Sequence, residues 1–117
     1  MLERDIESWS KRKAKAAGYW VRKFKSPGNR SVPDDVFARR GRTFYVEFKA
    51  TGETPTPLQA DEHRQMREAG LTVYWTDCRE GFAYIMERES SWLVPPAFDP
   101  GVGVVQMRDG KLDIRAE

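Results

Sequence analysis

Val32-Pro-Asp-Asp-Val-Phe-Ala-Arg-Arg-Gly-Arg-Thr-Phe-Tyr-Val-Glu-Phe-Lys49 is the stretch that decides the fold of this 117-residue chain. Two short apolar runs, Val32 to Ala38 and Thr43 to Lys49, flank Arg39-Arg40-Gly41-Arg42. The middle four residues read as a tight hairpin, with Gly41 supplying the positive φ that such turns need. In the second strand side chains alternate between faces. Phe44, Val46 and Phe48 form an apolar face, and Tyr45, Glu47 and Lys49 form the other, which is expected to lie away from the core. Pairing the two strands across Arg40-Gly41 brings Asp34 close to the Glu47–Lys49 end of its neighbour.

A carboxylate and an ammonium about 7 Å apart on one strand are unremarkable, since a surface strand carries such pairs routinely. Asp34 on the adjacent strand changes the chemistry. Two carboxylates converging beside a lysine make a hard-oxygen site suited to Mg²⁺, which takes one or two carboxylates and keeps several waters. The lysine can orient a water and neutralise charge developing on a phosphate. These are the parts that phosphodiester hydrolysis requires. The bland counterpart is that Asp34 and Asp35 cap a turn after Pro33.

Outward from this hairpin, Arg4 to Ala17 reads as a helix stopped by Gly18, and Tyr19 to Lys25 as an aromatic-rich strand. Residues 26–31 carry loop chemistry. Pro57 opens a second helix running to about Ala69, with Gly70 as its stop. Leu71 to Thr76 is a short buried strand. Asp77 is placed to N-cap a third helix to about Glu89, with Gly81 inside it counting against helix. A Pro-rich connector follows, and Val102 to Met107 and Lys111 to Arg115 flank the hairpin signal Asp109-Gly110. The order predicts an α/β fold, α-β-β-β-α-β, with a mixed central sheet flanked by helices and a C-terminal β-hairpin extension. Residues 1–89 form the domain. Residues 90–117 form the connector and hairpin, packed on the same domain or on a dimer partner through Trp92, Leu93, Val94 and Phe98.

The chain is 39% hydrophobic and 32% charged, which fits a globular protein. Net charge is +2, but unevenly spread: residues 1–49 carry +7 and residues 50–117 carry −5. The basic half points to a polyanion or, equally, to a solvated helix face around Lys11, Arg12, Lys13 and Lys15. The single Cys78, no apolar run of membrane-spanning length and no apolar leader lead to the expectation of a cytoplasmic protein. His63 has no His or Cys at ligand spacing and reads as a helix-surface or DNA-contacting residue.

Pro33-Asp34, twelve intervening residues, then Glu47-Phe48-Lys49 matches the PD-(D/E)xK signature. The wider run resembles the VRR-NUC (virus-type replication-repair nuclease) branch. It is carried by Ser26-Pro-Gly-Asn-Arg-Ser-Val-Pro-Asp34, Gly41-Arg-Thr-Phe-Tyr-Val-Glu-Phe-Lys-Ala50, Pro57-Leu-Gln59 and Arg67-Glu-Ala-Gly70-Leu-Thr-Val73, and spans roughly residues 3–77. The resemblance implies a restriction-endonuclease-like core and Mg²⁺- or Mn²⁺-dependent cleavage of double-stranded or branched DNA such as a Holliday junction. Phage-type standalone members are similar to homodimeric junction-cleaving enzymes, in a bacterial or phage-infected cell. It further implies Asp34, Glu47 and the Phe48 carbonyl as metal ligands, Lys49 as the residue that positions the attacking water, and Gln59 beside the site. A helix-one glutamate completes the site, and Glu7 is preferred to Glu3 because it keeps the resolvase-like spacing to Gly18. Lys23, Lys25, Arg30 and Arg42, with Gln59, are the expected DNA contacts. Ser31 stands where glycine is usual, and Asp35 where a basic or apolar residue is usual. A second hypothesis is a non-catalytic DNA-binding or interaction domain that retains the nuclease fold. A third is a plain α/β scaffold in a larger assembly.

Overall fold

The computed structural model describes residues 1–90 and 100–117, so the connector residues Trp92, Leu93, Val94 and Phe98 and their expected packing lie outside the described part. Among the described residues three α-helices and six strands follow one another as α1 (Glu3–Ala16), β1 (Trp20–Lys23), β2 (Asp35–Arg39), β3 (Arg42–Phe48), α2 (Pro57–Glu68), β4 (Val73–Thr76), α3 (Arg79–Ser90), β5 (Val104–Arg108) and β6 (Lys111–Arg115). The strands form one sheet in sequential order. Strands β1, β2 and β3 are antiparallel. Strand β4 lies parallel to both β3 and β5, and β5–β6 is an antiparallel hairpin. Both hairpins turn through two positive-φ residues, Arg40-Gly41 and Asp109-Gly110, the geometry that matches strand twist.

Alternation sets the two faces. Phe37, Phe44, Phe48 and Tyr74 are fully buried and pack with Ile6 and Ala14 of α1 and Phe82 and Ile85 of α3. Phe37 stacks on Phe44 at 5.2 Å and meets Phe82 at the same centroid distance. This aromatic layer is the core. Gly81 is required inside α3: a Cβ there would overlap Thr76 Oγ1 and the Val105 carbonyl, so the helix can approach the sheet only without a side chain.

The structure decides three expectations. First, of the two placements open to the C-terminal hairpin it takes the same domain; β5 pairs with β4 and continues the same sheet. Second, Asp77 does not cap α3. Its carboxylate accepts from Gly52 N at 2.9 Å and Met107 N at 2.8 Å, tying the loop after β3 to β5. Third, the face carrying Glu47 and Lys49 is also covered: Glu47 is 2% exposed and Lys49 9%. Helix α2 covers Glu47 with His63, itself fully buried rather than on the helix surface. No helix among the described residues is long and apolar enough to cross a membrane.

Candidate active site

Strand register aligns the acidic residues. Asp35 opposes Val46, so Asp34, one residue before β2, opposes Glu47. The Asp34 carboxylate accepts the Phe48 N–H at 2.8 Å, and its own carbonyl accepts the Phe24 N–H at 2.9 Å. Phe24, Asp34 and Glu47 thus form one lateral row across β1, β2 and β3. The Asp34 and Glu47 carboxyls face each other across the two strands and perturb each other's titration. Burial pushes Asp34 up, and the charge of Glu7 adds to this. Burial, with repulsion from Asp34, pushes Glu47 up to about 7. Two carboxyls facing each other need a proton or a cation between them.

The chemistry of that donor set fits Mg²⁺ or Mn²⁺. Among the described residues no three His, Cys, Asp or Glu side chains close round one point. An open site of two carboxylates, a main-chain carbonyl and water is instead the arrangement that Mg²⁺ prefers. Glu47 Oε1 is buried with no hydrogen-bond donor, an arrangement that an ionised carboxylate tolerates only beside positive charge. Lys49 supplies some of it, since its charge acts on both Glu47 and Glu3.

Helix α2 presents Gln59 and His63, one turn apart, to Glu47. Thr56 and Gln59 form a reciprocal capping box, which fixes the start of α2. The same Gln59 directs Nε2 toward Glu47 Oε2 at 3.5 Å. His63 Nε2 lies 3.7 Å from Glu47 Oε1, and its Nδ1 meets Glu117 at 2.9 Å. Arg67 holds that same Glu117 oxygen at 2.7 Å. Burial opposes charge on His63, but Glu117 and Glu47 outweigh it and raise its pKa. Sequence inspection missed this His63–Glu117 pair. The i, i+4 spacing of Gln59 and His63 was its one local signal; Glu117 lies 54 residues away and had none.

Helix α1 brings two glutamates to different neighbours. Glu7 pairs with Lys23 at 2.9 Å and bonds to Asp35. Burial works against its charge, yet those two bonds hold its pKa below the usual range. Asp35 is fully buried on this opposite face, pushed up to about 8 by burial and by Glu7, so the shared proton resides on Asp35. Lys11 lies 3.4 Å from it. Glu3 instead faces the site: burial raises its pKa, followed by the Asp34 charge, while Lys49 opposes them. Glu7 thus reaches Asp34 only through its charge, with Oε2 held by Lys23, whereas the charges of both Asp34 and Lys49 act on Glu3.

Among the expected DNA contacts, Lys23, Lys25 and Arg30 line a cavity of about 350 Å³ that reaches Asp34. Arg42 is not brought there. It grips buried Glu89 of α3 through Nε at 2.7 Å and Nη2 at 3.2 Å, at the hairpin end of β3.

A sheet with an acidic pair on adjacent strands, followed at the strand end by lysine, defines the PD-(D/E)xK class. A solved VRR_NUC domain superposes with a TM-score of 0.68 and 28% identity, over 73% of this chain and 94% of that one. The "Putative nuclease p44" of Acyrthosiphon pisum secondary endosymbiont phage 1 is 44% identical over 59 residues. That match takes in 50% of this chain and 63% of the phage protein. No family model matches the chain. In fold the chain is similar to a VRR-NUC domain, and half of its sequence is similar to a phage nuclease.

Proposed function

We propose that the protein is a divalent-metal-dependent endonuclease that hydrolyses DNA phosphodiester bonds. The observation that carries this is half-buried Asp34 facing buried Glu47 with Lys49, on a fold shared with a VRR_NUC domain. Asp34, Glu47 and the Phe48 carbonyl would hold Mg²⁺ or Mn²⁺. The bound cation would polarise the phosphoryl oxygen and lower the pKa of a water.

The chain's own residues do the rest. Asp34 is oriented by the Phe48 N–H, and Glu47 is braced by Gln59 and His63. Lys49 orients the attacking water and faces charge developing on the phosphate. The charge of Lys49 acts on Glu3 at the start of α1. Lys25 and Arg30 hold flanking phosphates, with Lys23 shared between Glu7 and the strand. Branched DNA, including four-way junctions, is the expected substrate, and a homodimer would supply the two sites that symmetric junction cleavage needs. A non-catalytic DNA-binding domain is the second reading, but no site residue has been lost in favour of it.

Incubating the protein with Mg²⁺ or Mn²⁺ and labelled linear, flap, fork and four-way-junction DNAs tests this. Metal-dependent cleavage is expected; intact DNA throughout would overturn it. Light scattering in the micromolar range should give twice the 13.5 kDa chain mass; a monomer would sink the dimer.

A further inference from the structure

The geometry points to a base-stacking platform on the sheet, formed by Trp20, Arg22, Phe24 and Tyr45, that seats an unpaired DNA segment leading into the Asp34–Glu47 site. The inference rests on the nuclease reading for the site at its end, and it names the substrate feature that the site would select.

Val21 belongs to the core and Lys23 reaches Glu7 of α1. Alternation therefore turns Trp20, Arg22 and Phe24 to the opposite face, the one that carries Glu47. On β3, Tyr45 shares that face. Register sets the rows: Trp20 opposes Ala38, and Arg22 opposes Val36, which opposes Tyr45. Phe24 then lies in the row of Asp34 and Glu47. From Trp20 to Phe24 the platform runs roughly 13 Å at about 3.3 Å per residue, ending on the catalytic row.

Its surface has the composition of a stacking site. Trp20 is 50% exposed on an edge strand, so half of a large aromatic ring is left in water. The Arg22 guanidinium lies 4.8 Å over the Trp20 ring, and Phe24 packs against Tyr45 at 5.0 Å. Flat, partly exposed rings interleaved with a stacked arginine suit bases, each of which has a π-face. Lys25 and Arg30 beyond Phe24 provide cations for the backbone of the same strand. A fully paired duplex hides its base faces and could use only those cations. An unpaired strand uses both, so the platform discriminates in favour of DNA with a single-stranded segment next to the scissile phosphate.

Binding measured by fluorescence anisotropy in EDTA separates these terms without cleavage. Three probes are needed: a blunt duplex, the same duplex with a single-stranded tail, and that tail with abasic sites. For the intact protein the tailed duplex should bind tighter than the other two. Trp20→Ala should weaken it about 5-fold or more, the scale of one lost base stack, while the blunt and abasic probes change less than 2-fold. Trp20→Tyr should restore the preference, and thermal melts of both variants should match the parent. Equal weakening on all three probes, or an unchanged tail preference in Trp20→Ala, would overturn the platform. If the parent cuts DNA but lacks the Trp20 dependence, only this inference falls. If Trp20-dependent tail binding appears without cleavage under any metal, the platform stands and the nuclease reading falls.

Discussion

Asp34 and Asp35 are neighbours in the chain and opposites in the fold. Asp34 turns to the face under α2, accepts a main-chain N–H and meets Glu47, with Lys49, Gln59 and His63 close by. Asp35 turns to the face under α1, accepts no main-chain N–H and is coupled to Glu7. Both carboxyls are pushed upward chiefly by burial. The difference is what lies around the pair. On the α2 side the surroundings supply cationic and polar partners and an opening toward the basic cavity. On the α1 side an aromatic core, Lys11 and the Glu7–Lys23 pair enclose it. A raised pKa alone therefore does not mark an active site; the chemistry of the neighbours does.

The sharpest way to break this contrast is to neutralise each aspartate in turn. Asp34→Asn should lower the cleavage rate by about 10²-fold or more, as should Lys49→Met, which keeps the buried aliphatic stem. Asp35→Asn should leave it within a few-fold. Rates on a labelled junction with Mg²⁺ decide this, and equal losses from the two asparagine variants would erase the distinction.

Next in size is the pH dependence of metal binding. The Glu47 proton, held with a pKa of about 7, must leave before the carboxylate can ligate. Mn²⁺ affinity measured by calorimetry should rise by up to about tenfold per pH unit below 7 and level off above it. A flat profile would show that Glu47 does not hold the metal.

The Asp35 side predicts the mirror behaviour, in stability. Its folded pKa of about 8 lies above the unfolded value, so the native state binds the extra proton. That contribution is complete below the unfolded carboxylate pKa and is lost as pH rises through 8. Asparagine mimics the protonated acid and loses nothing. The melting temperature of Asp35→Asn should therefore gain on the parent by several degrees between pH 5 and pH 9, and a constant difference would deny the shared proton.

Smallest are the phosphate contacts. Lys25→Ala should reduce the log–log salt slope of DNA binding by about 0.9, whereas Arg42→Ala should leave that slope unchanged. It should lower the melting temperature instead, because Glu89 is left buried without its bidentate partner. A slope change in Arg42→Ala would return it to the DNA surface.

Short-range patterns decided much of this protein. Period-2 alternation identified β3 and its two faces, Arg40-Gly41 and Asp109-Gly110 identified both hairpins, and Pro57 and Gly70 bracketed α2. The spacing Pro33-Asp34 to Glu47-Phe48-Lys49 singled out the row that the register then aligned. The alternation and the turns depend on residues a few positions apart, where φ/ψ preferences and side-chain period act directly.

What the tertiary structure alone decided depends on which surfaces meet. Alternation showed that Glu47 and Lys49 leave the aromatic core, but not that both would be buried, Glu47 beneath α2. Glu7 and Glu3 sit one helical turn apart, and only the crossing of α1 over β2 sends one to Asp35 and the other toward Lys49. His63 found Glu117 because β5–β6 joins the sheet beside β4, and Arg42 found Glu89 because α3 runs back over the β2–β3 hairpin. Contacts spanning 47 and 54 residues leave no local trace in composition or period, since burial and charge pairing are properties of the packed layers rather than of any one strand or helix.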